Sequence, residues 1–195
     1  MSGKRIFVFV FVLCCTVLFA APSQSEPNGT QRVTGTFVAI SGRSSGRTRL
    51  FTLIVNRYTA PGQVRELNDA LSRGGQDELL RTLSKMDAGR IQVGTGIGLP
   101  ANAIIADPWG DGGQRLTVLY ERDVRFSELR YGTRSSDYRV GYAEIFLDRN
   151  GKGEGTMIPA ARVRLKGENT WEVEDFGVFP ARLMGLRSSG RVVPR

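Results

Sequence analysis

Between residues 90 and 176 the chain passes through one short run after another in which apolar and polar residues alternate, most of them joined by short turns, with 126–131 reading as either a short helix or a turn. Alternation with period two is the signature of strands, and parallel neighbours need a crossover of a dozen or more residues. Connections this short leave antiparallel pairing. The runs lie at 90–93, 103–106, 116–122, 138–147, 155–165 and 170–176, with two earlier ones at 33–40 and 47–58. In the first, Val33, Gly35, Phe37 and Ala39 share a face; in the second, Phe51, Leu53 and Val55 do. Asp148-Arg149-Asn150-Gly151 carries the Asn-Gly pair that favours a tight hairpin turn. Residues 166–169 read as a second such turn.

The period changes once. Val64, Leu67 and Leu71 follow Pro61 at helical spacing, Gly74-Gly75 interrupts, and Leu79, Leu80, Leu83 and Met86 resume the stripe. The expected fold is therefore α+β: a mainly antiparallel sheet, curled or barrel-like, with one helical hairpin over 61–88 on one side.

The start of the chain has a different character. Lys4 and Arg5 precede residues 6–20, an apolar run broken by Thr16 alone, and Pro22 and a polar stretch follow. That run has the length of a signal-peptide core and is short for a membrane span. An uncleaved anchor fits less well, and so does a lipoprotein signal, because Cys14 and Cys15 lie mid-run. The expected organisation is a signal peptide at 1–25, a disordered lead-in at 26–32, one α+β domain at 33–187 and a loose tail at 188–195. No later apolar stretch approaches 18 residues, so no transmembrane segment is expected after cleavage. The expected destination is the periplasm or the exterior of a bacterial cell.

This leader removes both cysteines, and the chain has no histidine. Catalysis by Ser-His-Asp or Cys-His groups is excluded, as are zinc sites built on imidazole or thiolate. Oxygen-ligated metals remain, yet no intact motif for one is present, and neither metal nor cofactor is expected. The net charge of +8 would suit an anionic partner. The basic residues are mostly arginines scattered along the sequence, a pattern that composition alone produces, and an exported protein rarely meets nucleic acid. No nucleic-acid partner is expected.

Several stretches invite a chemical reading. Gly94-Thr95-Gly96-Ile97-Gly98 superficially resembles a nucleotide loop, but Leu99-Pro100 follows it instead of a helix, and a turn fits better. Asp148, Asn150 and Gly153 occupy positions one, three and six of a calcium loop. Lys152 and Pro159 then stand where ligands should be, so a hairpin turn is expected. Trp109, between Asp107 and Asp111, could offer its indole to a sugar ring. Arg134, Ser135, Asp137, Tyr138 and Arg139 gather arginines, hydroxyls and an acid in one connection, a set suited to an anion. Glu172 and Glu174 share a strand face, where paired-carboxylate catalysis is conceivable. An apolar residue precedes Pro-Ala at Pro100, Pro159 and Pro180, which reads as a recurring bend at strand edges.

The stretches 134–142, 153–163 and 174–183 resemble a group of small exported bacterial proteins of acidobacterial type that carry no assigned function. The resemblance covers most of the chain after the leader and implies no catalytic residue, cofactor or substrate. The expected function is non-catalytic binding of a ligand, anionic or glycan, or of an envelope component. Trp109, Arg134, Ser135, Asp137, Tyr138 and Arg139 are the candidate ligand contacts. A carboxylate-dependent hydrolase acting on a glycan and a structural or assembly partner are the alternatives.

Overall fold

A computed structural model describes residues 30–40, 46–122, 138–166, 170–175 and 180–190. They form β1 (Gln31–Val38), β2 (Thr48–Val55), α1 (Pro61–Leu83), β3 (Gly89–Val93), β4 (Leu99–Ala101), β5 (Ala103–Trp109), β6 (Gly113–Glu121), β7 (Val140–Leu147), β8 (Lys152–Lys166), β9 (Thr170–Asp175) and β10 (Ala181–Ser189). The strands make one antiparallel sheet in the order β4-β3-β2-β1-β10-β8-β7-β6-β5, with β9 paired to the far half of β8. The fold is thus the expected α+β with a dominant antiparallel sheet.

The sheet is curled. Its path ends on β4 and β5, which are consecutive in the chain and meet through Asn102, but no ladder among the described residues joins them, so the sheet does not close into a barrel. Inner-face side chains from both ends of the path, Ile91 of β3 and Ile104 of β5 among them, share one core with Val33, Phe51, Leu53, Val118, Ile145 and Leu183. A flat sheet of this width could not bring them together. Phe51, Leu53 and Val55 point inward as their alternation requires.

Asn102 holds the seam. Its Nδ2 donates to the carbonyls of Leu83 (3.1 Å) and Met86 (3.2 Å), and its Oδ1 accepts from the amide of Glu121 (2.8 Å). One buried side chain therefore satisfies the carbonyl of the last residue of α1, a second carbonyl just past the helix, and one amide of β6. At one end of the curl a polar group closes the core. Tyr58 donates to Gln31 (2.5 Å), Gln31 to Ser188 (2.7 Å), and Gln114 to Tyr58 (2.8 Å). Burial pushes the Tyr58 phenol above its ordinary value.

In place of a hairpin of two separate helices there is one helical element, α1, broken at Gly75 (φ 59°, ψ −140°). Only glycine adopts that backbone without strain, so the interruption falls where Gly74-Gly75 announced it, without an intervening loop. Leu67, Leu71, Leu79, Leu80 and Leu83 pack on the outer face of the sheet against Ala103, Leu119, Val140 and Val163. Two polar contacts fix the docking: the Trp171 indole donates to Asn68 (2.7 Å), and Gln76 donates to the Val163 carbonyl.

Pro159 explains the length of β8. Residues 152–157 pair with β10 and residues 161–166 with β9, and the register against β7 shifts between Val140 and Tyr142, opposite Ile158 and Ala161. Proline has no amide to give a ladder, and here it sits in a bulge between two partners. The expected limits of the domain move outward at both ends. Gln31 and Arg32, placed in the lead-in, belong to β1, and Ser188 and Ser189, placed in the tail, belong to β10.

Candidate functional site

The outer face of β5, β6 and β7 is covered by α1 at one end only. At the other end β5 and β6 meet in the turn after Trp109, where Gly110 (φ 52°) and Gly112 (φ 78°) supply the left-handed backbone that turn needs. Trp109 is 49% exposed, and its ring leans on Phe146 with centroids 4.6 Å apart and planes tilted by 51°. A tilted, offset pair of this kind fixes the orientation of the indole and leaves part of its surface in water.

Behind the indole lies a row of charge. Arg115 of β6 donates to Asp107 of β5 (2.8 Å) and approaches Glu144 of β7 (4.0 Å). The hydrogen bond to Asp107 holds the guanidinium above its ordinary value. Two carboxylates and one guanidinium thus form a fixed line of donors and acceptors beside an aromatic platform. That pairing of apolar face and planar polar groups suits a hydroxyl-bearing ring.

The candidate contacts named by the sequence do not converge. Tyr138 and Arg139 directly precede Val140, which pairs with Glu121, whereas Trp109 pairs with Gly113. Gly113 and Glu121 are the two ends of β6, about 26 Å apart at the usual strand rise. Arg134, Ser135 and Asp137 lie outside the described residues. At the Tyr138 end the tyrosine donates to Glu174 (3.0 Å), which also meets Arg164 (3.0 Å), and Arg139 lies 3.6 Å from Glu121. The bond to Glu174 raises the Tyr138 phenol. Glu174 is therefore engaged by an arginine and a tyrosine.

The remaining motifs are turns. The glycine-rich segment 94–98 joins β3 to β4, with Gly98 at φ 82°. Asp148 accepts the amides of Asn150 (2.8 Å) and Lys152 (2.9 Å), closing the β7–β8 hairpin with the oxygen a calcium ligand would need. Those amides hold its carboxyl below the ordinary value. Among the described residues no group of acids, His or Cys is placed to hold a metal ion. The recess between Tyr58, Gln63, Met86 and Asn102 measures about 10 Å³, room for roughly one water. Arg115, on β6, and Glu144 and Phe146, on β7, went unnoticed in the sequence because only register brings them beside Asp107 and Trp109 of β5.

No protein-family model matches the chain, and neither a curated protein nor a solved structure does. Among the described residues no helix is long and apolar enough to cross a membrane.

Proposed function

We propose that the chain is an exported bacterial domain that binds a glycan of the cell envelope without transforming it, on the outer face of β5–β7. The observation that carries this reading is the half-exposed Trp109 indole, braced on Phe146 beside the Asp107–Arg115–Glu144 row. A sugar stacks its apolar face on such a ring while its hydroxyls meet fixed donors and acceptors. A site with two carboxylates to one guanidinium favours an uncharged or weakly charged sugar over a polyanion. Export rests on the leader, with the apolar run at 6–20 and its flanking charges.

Isothermal titration of envelope polysaccharides and their fragments into the protein is the direct test. Trp109→Ala is expected to weaken binding at least tenfold while leaving the thermal transition in place. A glycan panel that gives no heat, or binding untouched by Trp109→Ala, sinks the reading. A hydrolase would instead release reducing ends from the same panel.

A further inference from the structure

The other half of the sheet is different in charge. Residues 30–65, 88–106 and 176–195 contain no aspartate or glutamate. These segments supply β1, β2, β3, β4 and β10, which lie side by side. The register then places Arg32, Arg90, Arg182 and Arg187 on the outer face, while Arg49 falls on the other, opposite Phe37. Arg90, Ile54 and Arg32 form one outer row across β3, β2 and β1. Gln92, Thr52, Thr34 and Arg187 form the next, which continues onto Lys152 of β8. Leu50, Thr36 and Met184 form a third, and Val38 faces Arg182 beyond it. Arg32, Arg90, Lys152, Arg182 and Arg187 are exposed, and none of them pairs with a carboxylate among the described residues. Glu154 and Glu144, on β8 and β7, mark where acids begin again.

Exposed apolar side chains stand within this basic frame. Leu50 is 62% exposed and Met184 49%. Ile97 is 88% exposed at the tip of the β3–β4 turn, and Arg90 and Gln92 hold that turn through its carbonyls. The face spans five strands, from β3 to β8, about 19 Å across.

We propose that this face docks on an anionic lipid bilayer, with the arginines at the headgroup phosphates and Leu50, Met184 and Ile97 entering the interface. Clustered arginines that, among the described residues, form no ion pair with the one bordering carboxylate, Glu154, are attracted to an anionic leaflet, and guanidinium forks match phosphate oxygens. Apolar side chains among the cations gain nothing from a hydrated polyanion but gain burial at a bilayer. A second copy of the chain would bring like charges together. The outer positions of these strands hold no aromatic residue on which a nucleic-acid base could stack. The proposal does not depend on the glycan reading, since Trp109 lies on the other half of the sheet.

The test is co-sedimentation of the full chain with vesicles of phosphatidylcholine alone and of phosphatidylcholine mixed equally with phosphatidylglycerol. Wild type and variants carry residues 1–29 unchanged, so any contribution of the apolar run cancels in the comparison. Wild type is expected to favour the anionic vesicles, and Arg32→Glu with Arg187→Glu to lower that binding at least tenfold. Arg81→Glu with Lys85→Glu, the same change of net charge at the end of α1 and just past it, should leave it within twofold. Leu50→Ser with Met184→Ser should reduce it severalfold. Circular dichroism confirms that each variant folds. Equal binding to both vesicle types, or equal losses from the two charge reversals, overturns the proposal. So does retention on an anionic polysaccharide by a protein that ignores the vesicles, which would assign the face to a polyanion.

Discussion

Asn102 carries three hydrogen bonds at the one position where the curled sheet turns from β4 into β5. Replacing it with alanine leaves two carbonyls and one amide without partners in a buried place. Each such group costs about 1–3 kcal/mol, and the costs overlap, so Asn102→Ala is expected to destabilise the fold by about 2–4 kcal/mol. Urea denaturation reads this as a lower midpoint at unchanged slope. Asn102→Asp keeps the acceptor for Glu121 but turns a carboxylate toward two carbonyls, so at neutral pH it should be no better than alanine. An aspartate variant as stable as wild type would show that the donors do not matter. In sequence Asn102 is only a polar residue between two alanines. Its importance comes from partners elsewhere in the chain, which no local pattern reports. Gly141 is a similar case. A side chain there would overlap the ring of Tyr120, its buried register partner, yet the sequence shows only a glycine in a strand.

Elements whose pattern stays in phase were legible, and those whose pattern breaks were not. β1, β2 and β7 keep their inward positions in phase, and their cores follow from that, whereas β6 is buried throughout Leu116–Tyr120, with Leu119 packed under α1. β10 does not keep its phase. Its register slips between Leu183 and Leu186, so the inward positions are Ala181, Leu183 and Leu186 and period two fails midway. β4 has three residues, too few to show a period. The basic face was hidden for the same reason, because its arginines look scattered until antiparallel register stacks them. The β7–β8 turn was readable from its residues and yields a prediction with a pH dependence. Asp148 titrates below its ordinary 3.8 because two backbone amides favour its charged form. A lowered folded value means that its contribution is complete above about 3.8 and is lost as pH falls through the folded value. Asp148→Asn should therefore lower the denaturation midpoint at pH 7, and the gap from wild type should close near pH 2. A gap of unchanged size at low pH would assign the effect to the shape of the turn and not to its charge.

At the scale of the molecule, β10 is the strand that joins two half-sheets. β4-β3-β2-β1 lies on one side of it and β8-β7-β6-β5 on the other. It brings the end of the described chain beside its beginning, with Arg32 opposite Ser189 and Ser188 hydrogen-bonded to Gln31. Without it the halves are linked through the α1 connection and the Asn102 seam, while β1 and β8 each lose a ladder. Leu183 and Leu186, both buried in the common core, would also be missing. A chain ending at residue 180 is therefore expected to lose its cooperative thermal transition, followed by near-ultraviolet circular dichroism, and to expose two unpaired strand edges that favour aggregation. A truncated chain that still melts cooperatively within a few degrees of the full one would show that each half folds alone. The proposed surfaces meet on this point. The basic face lies on the β10 side of the first half and the Trp109 row on the second, so the single strand that completes the core also fixes one surface relative to the other. Substitutions confined to either surface should change its own partner's binding and leave the other's intact, whereas loss of β10 should abolish both together.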